Sequence, residues 1–436
     1  MIPAGESLDA VRRSSQRMRR RLVMTGMASV ALGGCGAPSR LASLPERLRG
    51  TSTFYGLPGD TRVVLDGSDD ALMGRIAVEA LQRELAYDAR TGTKLTDTAD
   101  YLAISGGGEN GAYGAGILTA WTETGSRPTF KAVTGVSTGA LIAPFAFLGP
   151  SYDAQLERFY TTIEQSDVMT SRGLITAVLS DSLYDPSPLL RTIRSVMTPD
   201  TVAAIGREYS EKGRLFFVST ANLDVPVGVL WNIGSIAASG NRDAPELIAK
   251  ILLASASIPG AFPPVMIDAS AGTEHFQEMH VDGGTVAQVV FYPPSFSGKE
   301  LLPSTGDNAD YLSRIILRRK RRLYVIRNSR PGSDLETVDR STLKIAGRAI
   351  STLISTQGIG DLYQLYAIAQ RDHIDYNVTY IPVSFSEKLR QPFERQYMNK
   401  LYQLGRETMK ADRAWSKYPP GYDPTPLSLG RAPTVI

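Results

Sequence analysis

The sequence predicts an α/β fold, a mostly parallel sheet with helices on both faces, and three observations predict it. Apolar runs without alternation, Tyr101-Leu102-Ala103-Ile104 and Phe130-Lys131-Ala132-Val133-Thr134, each end in a glycine-containing turn followed by a stretch of helical spacing. Strand and helix signals keep alternating to the end of the chain, and such alternation buries a parallel sheet between helical layers. With 436 residues, 42% hydrophobic and 21% charged, the chain has soluble-globular composition and enough length for one large domain or two modest ones.

The stretch Tyr101–Gly149 organises the rest. The first apolar run passes into Ser105-Gly106-Gly107-Gly108-Glu109-Asn110-Gly111, and a helix follows with Ile117, Leu118 and Trp121 on one face and small residues behind them. The glycines within this helix predict close packing against the sheet, at some cost in helix propensity. Glycines between a strand end and a helix start leave backbone N–H groups facing outward at the positive helix end. That suits either a phosphate cradle or an oxyanion hole, and glycine spacing does not choose between them.

The second strand runs into Gly135-Val136-Ser137-Thr138-Gly139, a G-x-S-x-G pattern, and the apolar helix Ala140–Leu148 follows. Between strand and helix this pattern is a nucleophile elbow, which lifts a serine hydroxyl clear of the sheet. Further on, Met279-His280-Val281 leads as a short strand into Asp282-Gly283-Gly284, an acid on a glycine turn.

In their order, Gly106-Gly107-Gly108…Gly111, Gly135-Val136-Ser137-Thr138-Gly139, the block Ala254–Pro264 and Asp282-Gly283-Gly284 resemble the patatin-like phospholipase family. The resemblance covers roughly Asp100–Tyr418. It implies a three-layer α/β fold, a Ser137–Asp282 catalytic dyad without histidine, and an oxyanion hole from Gly106, Gly107 and Gly108. It also implies phospholipid or lysophospholipid substrates, with no cofactor. One departure is Asn110, where the family often carries Arg or Lys, so help from a nearby positive charge is absent. Carboxylesterase or thioesterase activity on small soluble esters shares every motif. A non-catalytic acyl-binding envelope lipoprotein is a further alternative.

The three histidines are His275, His280 and His373. The order Ser137…Asp282…His373 would satisfy a hydrolase triad, yet His373 follows Arg371-Asp372 at a helix-to-strand junction, where an exposed histidine is expected. His280 shares a strand face with Asp282 and reads as a hydrogen-bonded strand residue. No histidine-and-acid spacing suggests a metal site.

Net charge is +3, but residues 1–34 carry six arginines against Glu6 and Asp9, leaving the remainder near −1. A nucleic-acid partner has no support. After Arg21 come the short apolar segment Leu22–Leu32 and then Gly33-Gly34-Cys35, which resembles a bacterial lipoprotein signal with Cys35 lipidated. The expected location is therefore the bacterial cell envelope, lipid-anchored, in the outer rather than the inner membrane and beside a lipid substrate. Cys35 is the only cysteine, so no intramolecular disulfide supports the fold. The expected organisation is a signal peptide (1–34), a tether (35–62), an N-terminal helical extension (63–98) with a helix over Ala71–Leu85, a patatin-like catalytic domain (99–418) and a tail (419–436).

Other expectations are helices over Tyr152–Ser166, Ser187–Met197, Glu246–Ala254 and Pro392–Ala414, and strands over Leu215–Thr220, Val225–Ile233, Leu323–Ile326 and Tyr376–Phe385. Leu174–Leu183 reads as ordinary core or as an acyl groove. The run Arg318–Arg322 is expected as a solvated flank rather than a lipid-headgroup site. Leu335–Gln370 reads as helical, with Ile345, Ala349, Leu353, Leu362, Leu365 and Ile368 on its apolar positions and a break near Gly358-Ile359-Gly360.

Overall fold

A computed structural model of the chain describes residues 39–57, 59–172, 182–297, 309–332, 337–411 and 414–425. Cys35, the leader, most of Leu174–Leu183 and most of the 419–436 tail lie outside the described residues.

The strands, in chain order, are β1 (Thr53–Phe54), β2 (Arg62–Val64), β3 (Thr98–Ile104), β4 (Ala132–Val136), β5 (Thr170–Ser171), β6 (Tyr184–Asp185), β7 (Leu215–Asn222), β8 (Val227–Asn232), β9 (Val265–Ala271), β10 (Glu274–Asp282), β11 (Lys320–Arg327) and β12 (Asp375–Tyr380). The helices used below are α1 (Asp70–Thr91), α2 (Gly111–Glu123), α3 (Thr138–Leu148), α4 (Ala244–Ser255), α5 (Ala309–Arg318), α6 (Thr342–Arg371) and α7 (Arg395–Lys410).

The predicted α/β architecture holds. β7, β4, β3, β11 and β12 form a parallel core in that order, with helices on both faces. The core strands alternate between two apolar layers. Leu102 and Ile104 of β3 and Val133 of β4 join the layer of α2, α3, α4 and α7. Ala103, Ala132 and Val136 join the layer of α1 and the second half of α6. Both faces are buried, so the strands read as continuous apolar runs rather than alternating ones.

Antiparallel strands extend this core. β9 and β10 form a hairpin over seven residue pairs, β10 then pairs with the end of β7, and β1 adds to β9. β9 was not foreseen, and the short strand before Asp282 is in fact nine residues long. β8 runs back along the other edge of β7 and carries β2.

Residues 39–62 differ from the expected tether. Leu44, Phe54 and Leu57 are buried, and Arg40 makes a bidentate ion pair with Asp224 at 2.6 and 2.7 Å. Scattered large apolar groups among Pro, Ser and Gly cover the hairpin edge, so the polar composition misleads. The helical extension is α1, longer than expected at 22 residues, with Met73, Ile76 and Ala80 set into the sheet.

Glycine within α2 serves a helix contact as well as the sheet. A Cβ at Gly116 would stand 2.1 Å from the Tyr402 carbonyl oxygen of α7, and one at Gly405 would stand 2.3 Å from the Tyr113 carbonyl oxygen. The two helix backbones touch there. α6 is continuous through Gly358–Gly360. Leu362, Leu365 and Ile368 are buried as expected, but Ile345 and Leu353 are exposed, so only its second half meets the core.

The basic run is not a free flank. Arg319 holds Glu84 through two bonds of 2.7 and 2.9 Å, Arg322 holds Asp100 at 2.6 Å, and Arg321 donates to the Asp372 carbonyl.

Candidate active site

β7 brings the site together. Val136, the last residue of β4, pairs with Ser219, while Asp282, the last of β10, pairs with Thr220. Two strands of opposite direction therefore end at adjacent positions of β7. The residue after Val136 and the residue closing β10 must meet.

Ser137 is that first residue. It sits at φ 54° and ψ −124° in front of α3, and its carbonyl accepts from the Ala140 and Leu141 N–H groups of the helix's first turn. A non-glycine residue at such angles is strained and persists only where its surroundings hold it, as at a nucleophile elbow. The Ser137 N–H donates to Ser255 Oγ (2.9 Å), and Ser255 Oγ–H donates to the Ser219 carbonyl (2.7 Å). The Asp282 N–H donates to the Ser257 carbonyl at 2.9 Å. The block Ala254–Pro264, legible in sequence only by resemblance, is thus a clamp on both strand ends.

Asp282 is buried. Burial pushes its carboxyl up to about 7, against the opposing hydrogen bonds of the Ser137 side chain and the Gly284 amide at 2.7 Å. A carboxyl balanced near neutral pH and bonded to a strained serine is suited to exchanging a proton with it.

The glycine loop lies across the mouth. Gly106 does not offer its amide: that N–H donates to the Gln288 carbonyl at 3.0 Å. For Gly107 and Gly108 no amide acceptor is found among the described residues. At Gly107 a Cβ would fall 2.1 Å from the Asn328 carbonyl oxygen, so that residue must be glycine. Asn328 is fully buried and fixes the loop through three bonds. Its N–H donates to Ser105 Oγ (2.9 Å), its Nδ2 donates to the Ser105 carbonyl (3.0 Å), and its Oδ1 accepts from the Gly114 N–H (3.0 Å). Nothing in the sequence around Asn328 marks this role.

Gln288 was missed as well. Its carbonyl takes the Gly106 amide, while its own N–H donates to Asp361 at 2.6 Å. Its side-chain amide fills the space where Cβ atoms on Gly106 and Gly284 would stand. Burial raises the Asp361 carboxyl to about 6 in spite of the Gln288 and Val289 amides and Arg327. Asn110, the departure in the loop, accepts from the Tyr397 hydroxyl at 2.9 Å.

In front of Ser137 opens an apolar cavity of about 260 Å³, walled by Leu141, Phe159, Ile163, Met169, Phe262 and Phe393, with Gly108 and Glu109 at the serine end. Desolvation raises the Glu109 carboxyl. Its apolar lining suits an acyl chain and offers few polar groups to a sugar or nucleotide.

The histidines stand apart from this pair. His280 is fully buried, its Nδ1 2.9 Å from Thr220 Oγ1 and its Nε2 3.1 Å from Glu278. Burial lowers its pKa, and Glu278 and its partner Arg62 occupy it structurally. Burial would raise Glu278, but His280 and Arg62 hold it down at about 2. His373 precedes β12, at the entry end of the parallel strands, whereas Ser137 follows the exit end of β4. A triad through His373 finds no support in this geometry. His275 lies on the β9–β10 hairpin beside Ser270.

Elbow, acid and apolar cavity thus lie together at the exit end of a parallel α/β sheet. Residues 102–293 match the model of the patatin-like phospholipase family. No curated protein matches the chain. Among solved structures, VipD from Legionella pneumophila matches at 11% identity and a TM-score of 0.35, over 73% of this chain and 67% of that one.

Proposed function

We propose that the chain hydrolyses acyl esters of lipids, phospholipids or lysophospholipids first among them. The observation that carries this reading is the convergence of Ser137 and a buried, near-neutral Asp282 beside an apolar cavity that Ser137 lines.

In the proposed sequence the acyl chain lies along Leu141 and Phe262, and Ser137 Oγ attacks the ester carbonyl carbon. Its proton passes to the ionised Asp282 carboxylate as the bond forms. The oxyanion is received by the Gly107 and Gly108 amides, whereas Gly106, engaged by Gln288, shapes the loop. Asp282 then protonates the leaving alkoxide, and water, deprotonated by the same carboxylate, releases the acyl group from Ser137. No cofactor takes part in these steps. Lipidation of Cys35 would hold the enzyme in the bacterial envelope beside its substrate.

Purified full-length chain is assayed on chromogenic esters of increasing chain length and on phospholipid vesicles, beside Ser137→Ala and Asp282→Asn. Turnover by wild type on long-chain esters and vesicles, lost in both variants, is the expected result. A wild type inactive on every ester, or an active Asp282→Asn, would refute the dyad.

A further inference from the structure

A second cavity, of about 150 Å³, lies on the opposite layer of the sheet and at the entry end of its parallel strands, away from Ser137. Its body is apolar, formed by Met73 and Ala77 of α1, Phe217 of β7, Phe291 and Phe296, and Ile315 of α5. An apolar space of this size holds about six carbons of a ligand.

One end is polar, and its charges do not balance. Tyr101, Lys131, Arg319 and Arg321 lie on the wall there. Lys131 and Arg319 share the single carboxylate of Glu84. Arg321 donates to the Asp372 backbone carbonyl, while the Asp372 carboxylate is already taken by Arg371 and Tyr292. Arg319 and Arg321 each keep a buried Nε–H without an acceptor. The Tyr101 hydroxyl, also on this wall, has no hydrogen-bond partner among the described residues. An apolar body ending at surplus cations and an open phenol matches one chemistry, an aliphatic chain ending in a carboxylate.

We propose that this cavity is a binding site for a short- or medium-chain fatty-acid carboxylate, separate from the acyl cavity at Ser137. The chain lies between α1 and Phe291, and the carboxylate meets Tyr101 and the Arg319–Arg321 end. The segment from Asp282 through Gln288 to Phe291 joins the two sites, since Phe291 packs on Tyr101 with ring centroids 5.0 Å apart. The site thus binds the class of molecule that acyl-ester hydrolysis releases.

Octanoate is titrated calorimetrically into the full chain carrying Leu141→Trp, which blocks the acyl cavity, with octan-1-ol as the neutral comparator. Expected are one octanoate bound per chain, about tenfold weaker octan-1-ol, and about tenfold weaker octanoate after a further Tyr101→Phe change. Ala77→Phe, which fills the body, should abolish binding with the circular dichroism spectrum retained. If that variant does not fold, Tyr101→Phe and octan-1-ol carry the test. Equal affinities for octanoate and octan-1-ol, unchanged binding in folded Ala77→Phe, or loss of all binding on Leu141→Trp alone would each overturn the proposal. None of these readouts requires turnover, so they stand or fall apart from the hydrolytic mechanism.

Discussion

Replacing Asp282 by Asn removes a charge that the folded protein holds at a cost, and the sign of that cost is testable. The carboxyl is raised from the ordinary 3.8 to about 7, chiefly by burial. Below the unfolded value both states are protonated, and the group's contribution to stability is fully present. As pH rises from about 4 to about 7 the unfolded chain ionises first, and that contribution is lost. At ~1.4 kcal/mol per pH unit the loss approaches ~4 kcal/mol, a ceiling because water entry and local relaxation soften it. Asn has the same shape and keeps an oxygen for the Gly284 amide. Asp282→Asn should therefore match wild type near pH 4 and exceed it by roughly 2–4 kcal/mol near pH 8. Urea unfolding of both proteins across that range measures the difference, and the same pair in an ester assay should show kcat/KM rising through about 7 in wild type and no turnover in the variant. A stability difference that stays flat with pH would mean that the carboxyl is not held in a desolvated site, and the argument for its role as a base would lose its electrostatic ground.

Asn328→Ala should destabilise the chain by ~2–4 kcal/mol, because three buried partners lose their bonds, and should lower kcat more than it raises KM, since the Gly107–Gly108 donors lose their support. Thermal unfolding and steady-state kinetics read the two effects. Leu141→Trp should lower kcat/KM on medium- and long-chain esters by more than about tenfold relative to acetate esters, since the indole blocks the cavity to any chain of several carbons, measured as a chain-length profile. His373→Ala should leave kcat/KM unchanged; a loss beyond about tenfold would restore the triad reading. Ser137→Gly should abolish turnover while gaining ~1 kcal/mol of stability by relieving the elbow, which chemical denaturation would detect.

What could be read without coordinates was local in the chain. The elbow at Ser137, the glycine loop and the Asp282 turn each occupy a few consecutive residues whose special backbone needs leave a composition signal. The continuous apolar runs of β3 and β4 reveal a sheet covered on both faces. The block Ala254–Pro264 was visible only as a similarity, because its task is set by two hydrogen bonds to strands distant in sequence.

Elements that depend on partners far along the chain were misread or missed. Residues 39–62 have the composition of a tether, yet Leu44 and Phe54 find an apolar edge that exists only once β9 and β10 have paired. Arg319 and Arg322 carry the signature of a solvated run until Glu84 and Asp100 arrive beside them. Asn328 and Gln288 have no motif, and Gly106 looked equivalent to its neighbours until the Gln288 carbonyl took its amide. The sequence by itself determined the class of fold and pointed to the residues proposed for the chemistry, because strand burial and strained turns are encoded by neighbours. Only the tertiary structure decided that Ser137 meets Asp282 rather than a histidine, which amides remain open and where a second cavity lies, because those depend on register along β7 and on burial, which no single segment encodes.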